Sequence, residues 1–152
     1  KFNLPRDMLI QQHRLYLDLG HVYVMAQANL NGRDLGILWK PPFLVDVTDK
    51  LQGGVNELVV NVVNLWPNRL IGDEQLPEDS EWIPSSTPKN LTPRNYGAVL
   101  AAWPKWFLEH KPSPTGRVTF TTWKHWTKDD PLLESGLLGP VVIRPRAVVP
   151  IL

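Results

Sequence analysis

The first half of the chain alternates apolar and polar positions with a period of two. In RLYLDLG, Leu15, Leu17 and Leu19 fall on one side of an extended chain and Tyr16 and Asp18 on the other, which predicts a half-buried strand. The next run sets Val22, Val24, Ala26, Ala28 and Leu30 on one face and then meets Asn31-Gly32. Both residues of that pair tolerate positive φ, so a two-residue hairpin turn is predicted there. Pro41-Pro42 ends the return strand, FLVDV starts another, and TDKLQGG reads as one helical turn closed by Gly53 and Gly54. In NELVVNVVN, Leu58, Val60 and Val62 alternate with Val59, Asn61 and Val63. That is more apolar than a half-exposed strand requires, and it predicts a central one.

From Leu65 to Gly116 the alternation gives way to proline, serine and asparagine, the chemistry of loops. One island, AVLAAWPKWFLEH, places Leu100, Trp103 and Phe107 at helical spacing, with Pro104 confined to a first turn or else breaking the segment. Strand patterns resume in RVTFTTW and LLGPVVIRP. If the first continues through Trp126, Val118, Phe120, Thr122, Lys124 and Trp126 form its core face, and Thr119, Thr121, Trp123 and His125 its outer face. Short strands, one hairpin and no βα alternation predict an all-β, antiparallel β-sandwich, with a long Pro/Trp-rich insertion carrying a short helix.

At 152 residues a single domain over 1–152 is expected. Sixteen basic residues stand against 15 acidic ones without a run of either sign, which argues against a nucleic-acid partner. No apolar run approaches the roughly 20 residues that cross a bilayer, so no membrane partner is expected. The chain starts at Lys1 in structured-looking sequence, which suggests a piece excised from something longer. With no cysteine there are no disulfides, thiolate metal sites or cysteine nucleophiles.

The run LNGRDLGILWKPPFLVDVTDKLQGGVNELVVNVVNLW resembles the galactose-binding-like jelly-roll sandwich found as the sugar-binding domain of family 2 glycoside hydrolases. There an NG hairpin, a DVTD-L segment and a GxNxLxVxVxN strand follow in the same order. NLWPNRLIGDEQLP, followed by PTGRVTFTTWKHWTKDDPLLESGLLGPV, is more specifically similar to the β-sandwich domain of family 106 α-L-rhamnosidases and related bacterial polysaccharide-degrading enzymes. The resemblance covers Arg14 to Arg144. It implies a jelly-roll module of a larger multidomain glycoside hydrolase, working outside the cell or in the periplasm. Its partners would be a plant cell-wall polysaccharide or oligosaccharide and the catalytic domain of the parent enzyme. The catalytic carboxylates of such enzymes lie on a separate barrel for which this chain has no room, so no catalytic residue is expected here.

The candidate chemistry agrees with a binding role. Glycoside hydrolysis needs two carboxylates across a sugar ring, but Asp73-Glu74, Glu78-Asp79 and Asp129-Asp130 are sequence neighbours in turn-like segments and read as solvated loop charges. Ser113, Ser135, His125 and Asp129 supply the content of a serine triad without a G-x-S-x-G elbow. His13, His21, His110 and His125 lack zinc-site spacing. No cofactor is required. The resemblance implies a possible structural Ca²⁺, with Asp46, Asp49 and Asp129 as oxygen donors, although capping the TDKL turn is the better reading of Asp46 and Asp49. Aromatic rings beside polar groups are what a sugar site requires, because sugar C–H faces stack on rings while hydroxyls need partners. Trp66 with Asn68, Arg69 and Asp73, Trp103 with Trp106, and Trp123 with His125 and Lys128 have that mixture. Taken singly, each of these tryptophans suits a packed corner better than a ligand contact. A non-catalytic carbohydrate-binding module is expected, with a structural domain bracing a catalytic barrel as the alternative.

Overall fold

The computed structural model describes residues 1–9, 13–84 and 98–149. In chain order its elements are β1 (Phe2–Leu4), a 3₁₀ turn (Arg6–Met8), β2 (His13–Asp18), β3 (His21–Tyr23), β4 (Met25–Leu30), β5 (Arg33–Leu38) and β6 (Leu44–Asp46). There follow β7 (Gly54–Asn56), β8 (Leu58–Val63), α1 (Pro67–Asp73), β9 (Trp82–Ile83), β10 (Val99–Leu100), α2 (Lys105–Leu108), β11 (Gly136–Gly139) and β12 (Val142–Ala147). All strand ladders are antiparallel and both α-helices are short, so the protein is an all-β sandwich. Its contacts divide it into two compact units, Lys1–Leu65 with Glu134–Leu152, and Trp66–Leu133.

The first unit holds two three-stranded sheets, ordered β12-β2-β6 and β5-β4-β8, with the two-stranded ladders β1-β7 and β11-β3. Leu15 and Leu17 of β2, with Leu19 just beyond it, meet Ala26, Ala28 and Leu30 of β4 in one buried cluster with Phe43 and Val47. The alternation in the sequence therefore marks the inner faces of the sandwich. Asn31 and Gly32 form the β4–β5 turn with φ of 52° and 77°, as their residue types predict. The Asn31 side chain also donates to the Lys50 carbonyl and to Asn56 Oδ1, and accepts from the Glu57 N–H. The hairpin tip is thus joined to the chain before and after β7. In the 47–51 turn, the N–H groups of Lys50 and Leu51 both reach the Val47 carbonyl, one helical turn as expected.

One expectation is corrected here: β8 is an edge strand of its sheet, and β4 is the central one. Its extra apolar side chains, Val59 and Val63, lie on the outward face, which Ile37 of β5 shares.

One further correction falls in the second unit. RVTFTTW forms no strand. Its Val118 and Thr119 N–H groups end on the carboxylate of Asp73, and only Trp123 makes a β-bridge, to Val99. The AVLAAWPKWFLEH segment divides at Pro104, which lacks an N–H and disfavours helix in the residue before it. Val99–Leu100 is a strand, and α2 begins only after Pro104, which serves as its N-cap.

Candidate functional site

Within the second unit, α1 begins with Pro67, whose missing N–H costs nothing in a first helical turn, and ends at Asp73. Asp73 is only 2% exposed. Its Oδ2 accepts the N–H of Val118 at 2.9 Å and both the N–H and the hydroxyl of Thr119 at 2.7 Å, while Oδ1 pairs with Arg69 at 3.1 Å. Burial opposes its ionisation, but the two donors of Thr119, the N–H of Val118 and the Arg69 charge outweigh that and hold its pKa below the ordinary value. Asn68 is engaged in the same way. Its amide donates to the Leu133 carbonyl and accepts the Leu133 N–H, each at 2.8 Å. Asn68, Arg69 and Asp73, expected as sugar contacts, are thus held by bonds within the unit. Trp66 beside them stays exposed.

A charged network follows. The Arg117 side chain, 7% exposed, donates to the carbonyls of Pro77 and Leu76 and to Glu74 Oε1 at 2.8 Å. Lys124 bridges Glu74 and Glu78, and its ammonium lies 5.3 Å from the Trp82 ring centroid. The Trp82 indole donates to Glu78 Oε2. Burial opposes ionisation of Glu78, yet the Lys124 and Trp82 bonds prevail and lower its pKa, whereas a glycosidase acid needs a raised one. Asp79 accepts from Ser80 and Ser113, and Asp130 from the N–H and hydroxyl of Thr127. The expectation of solvated loop charges is therefore corrected for these carboxylates, which are hydrogen-bonded connectors; Asp129 alone of the six has an exposed side chain with no bond of this kind described. Ser113 bonds to Asp79 rather than to a histidine.

An aromatic cleft lies beside this network. Phe120 stacks on Phe107 at 4.2 Å and meets Trp103 and Trp106, each at 5.7 Å between centroids. Trp103 also stacks on Phe107 at 5.3 Å, and the Trp106 indole donates to the Asp79 carbonyl at 3.0 Å. Two of these rings, Trp103 and Trp106, border a cleft of about 530 Å³, whose rim includes Glu81 and Lys105. Trp106 is half-buried and fixed by its indole N–H; Trp103 is 53% exposed. This places a supported ring next to charged hydrogen-bonding groups, the arrangement a pyranose requires.

The remaining expected contacts lie apart from that geometry. Trp123 is exposed and pairs with Val99 in an extension of the β9–β10 ladder, where Thr122 O accepts from Leu100 N and Lys124 N donates to Ala98 O. His125 packs edge-on against Trp126 at 5.3 Å. The Lys128 carbonyl accepts from Gln75 while its side chain is exposed.

For calcium, Asp46 is already engaged. Its oxygens accept the hydroxyl and N–H of Thr48 and pair with Arg14 at 2.7 Å, as an Asx cap of the following turn does. The Thr48 hydroxyl bond foremost, then the Thr48 N–H and Arg14, lower its pKa to about 2 against the opposing effect of burial. Asp49 and Asp129 have exposed side chains. Among the described residues no group of three or more histidine, aspartate or glutamate side chains is placed to hold a metal.

The sequence did not single out Arg117 and Trp82, which organise the second unit, nor Trp39 of the first unit, and Phe120 reads from the sequence only as the core face of a strand. Only the place of Trp39 at a strand end, followed by Lys40 and Pro41-Pro42, could have drawn attention to it.

No protein-family model matches the chain. A protein of Formosa agariphila described as "Putative beta-glucuronidase" is 46% identical over 142 residues, which cover 93% of this chain and 11% of that protein. The structure of a rhamnosidase from Novosphingobium sp. PP1Y is similar with a TM-score of 0.64 and 28% identity, over 95% of this chain and 10% of that one. The chain thus spans about a tenth of the length of the glycoside hydrolases it matches.

Proposed function

We propose that this chain is a non-catalytic, carbohydrate-binding sandwich module of a bacterial glycoside hydrolase, of the galactose-binding-like type, and that it takes plant cell-wall glycan at the Trp103–Trp106 cleft. The observation that carries this reading is the half-exposed Trp103 ring, backed by Phe107 and Phe120 and opening on about 530 Å³ of cleft. A pyranose lies against the indole, with its hydroxyls toward Glu81 and Lys105. The internal bonding of Asp73, and of Glu78 to Lys124 and Trp82, supports a role without hydrolysis. The similarity to a small part of two proteins named as glycosidases supports the enzymatic context; an extracellular or periplasmic setting belongs to the same proposal.

The test is affinity electrophoresis of the parent and Trp103→Ala through gels containing neutral galactan, arabinan or rhamnan. Retention by at least one of them, lost in the variant, is expected. Free migration through all three, or equal retention of both proteins, overturns the assignment.

A specific observation also favours the bracing alternative. Ile37, Val59 and Val63 leave the outer face of the β5-β4-β8 sheet apolar and exposed, which suits coverage by another part of a larger enzyme.

A further inference from the structure

The first unit contains a second concave site, of about 410 Å³. It is built by β3 and by the segment joining β5 to β6. Val22 and Phe43, both core residues, close it from below, and Tyr23 and Trp39 form its aromatic walls. Trp39 follows the end of β5 and is 65% exposed, although its indole is the largest apolar surface at the site. Its volume falls within the range of small-molecule sites.

The charge at this cleft has one sign. Lys40 and His21 line it, and among the described residues no aspartate or glutamate does. The Lys40 ammonium lies 5.1 Å from the centroid of the Trp39 ring, and among the described residues no carboxylate pairs with it. The His21 ring meets Tyr23 edge-on at 6.0 Å. The nearest acidic side chain in sequence, Asp18, is engaged by the Gly20 N–H at 2.8 Å and by Arg144 at 2.5 Å.

We propose that this cleft binds an anionic sugar: the pyranose ring lies against Trp39, and its carboxylate or sulfate group faces Lys40 and His21. An uncharged sugar would use the aromatic walls and leave the cation without a partner. A ring bearing an acid group uses both, and its charge complements a site that has no acidic side chain to repel it. The Trp103 cleft differs in having Glu78, Asp79 and Glu81 on its border. The acidic border of the Trp103 cleft disfavours an anionic ring and is compatible with a neutral one, and the present assignment stands independently of whether the Trp103 cleft takes sugar.

Isothermal titration of the 152-residue chain tests this with three probes: tetragalacturonate, its methyl ester and a sulfated galactan oligosaccharide. Heat of binding is expected with the carboxylated probe, the sulfated probe or both, which identifies the acid group, and added salt should weaken it. The methyl ester should bind about fivefold more weakly or worse than the free acid, the scale of one screened charge. Trp39→Ala should reduce affinity for the acid by about tenfold or more, as loss of a stacking ring does. Lys40→Gln, on an exposed side chain that the fold does not need, should reduce it about fivefold. Absence of heat with both anionic probes, a methyl ester that binds as well as the acid, or Trp39→Ala and Lys40→Gln proteins that bind like the parent would each overturn the proposal.

Discussion

Thr119 donates both its backbone N–H and its hydroxyl to the same oxygen of Asp73, each at 2.7 Å. Val118 adds a third donor to that oxygen, so a single buried carboxylate organises the segment leading to Phe120. Asp73→Ala leaves these donors without an acceptor and Arg69 without its counter-ion. A loss on the order of 3 kcal/mol is expected, as for breaking a buried charged network from one side. Thr119→Val removes only the hydroxyl bond and should cost about 1 kcal/mol. Urea unfolding of both variants checks the order; equal costs would mean that the Asp73 charge carries little of the effect.

Acid should weaken the first unit through Asp46. Its pKa is lowered to about 2 from an ordinary 3.8 by Thr48 and Arg14, so its stabilising contribution is fully present above the ordinary value and disappears as pH falls through about 2. The side chain is about one-third exposed, so screening limits the contribution to about 1 kcal/mol. Asp46→Asn should therefore melt below the parent at neutral pH, and the difference should shrink between about pH 4 and about pH 2. A difference that stays constant over that window would assign the loss to the altered Thr48 hydrogen bonds and not to the charge.

Where the sequence pattern was informative, both partners of the contact followed a local rule. Leu15, Leu17 and Leu19 alternate because β2 has one face in the core, and Asn31-Gly32 turns because both residues tolerate positive φ. RVTFTTW obeys the same alternation, yet its N–H groups are taken by a carboxylate 45 residues away, which no local propensity encodes. The candidate site divides in the same way. Trp103 and Trp106 are close in sequence and share one cluster in space. Asn68, Arg69 and Asp73 are chemically suited to sugar, but their partners are Leu133, Asp73 itself and Thr119, so their role depends on tertiary placement. The cleft at Trp39 was illegible because it depends on β3 lying beside the segment after β5.

Two glycines of the first unit should respond differently to alanine. Gly20 and Gly32 both have positive φ, at 64° and 77°. A Cβ on Gly32 meets nothing within 4 Å, so Gly32→Ala should cost only the backbone strain, about 1 kcal/mol. A Cβ on Gly20 would lie 2.4 Å from the carbonyl carbon and oxygen of Gly139, both backbone atoms of the facing bridge. Gly20→Ala should therefore cost several kcal/mol in addition, on the scale of severe overpacking. Thermal melts of the two variants make the comparison, and similar melting temperatures would show that the 20–139 bridge yields easily.

The aromatic cluster of the second unit separates a ring needed for the fold from a ring available to ligand. Phe120 touches Trp103, Trp106 and Phe107, and it is more buried than Trp103 or Phe107. Removing it leaves a cavity among three rings, so Phe120→Ala should destabilise by roughly 3 kcal/mol. Trp106→Phe keeps the packing but loses the indole bond to the Asp79 carbonyl, about 1 kcal/mol. Trp103 lies at the edge of the cluster with half its surface in solvent, so Trp103→Ala should cost about 1 kcal/mol or less beyond its ring contacts while abolishing retention in the neutral-glycan gels. Melting curves of the three variants and one gel series suffice. A Trp103→Ala protein that melts as early as Phe120→Ala would make Trp103 part of the core; the ring would then brace α2 against Phe120, and the cleft beside it would be a by-product of packing.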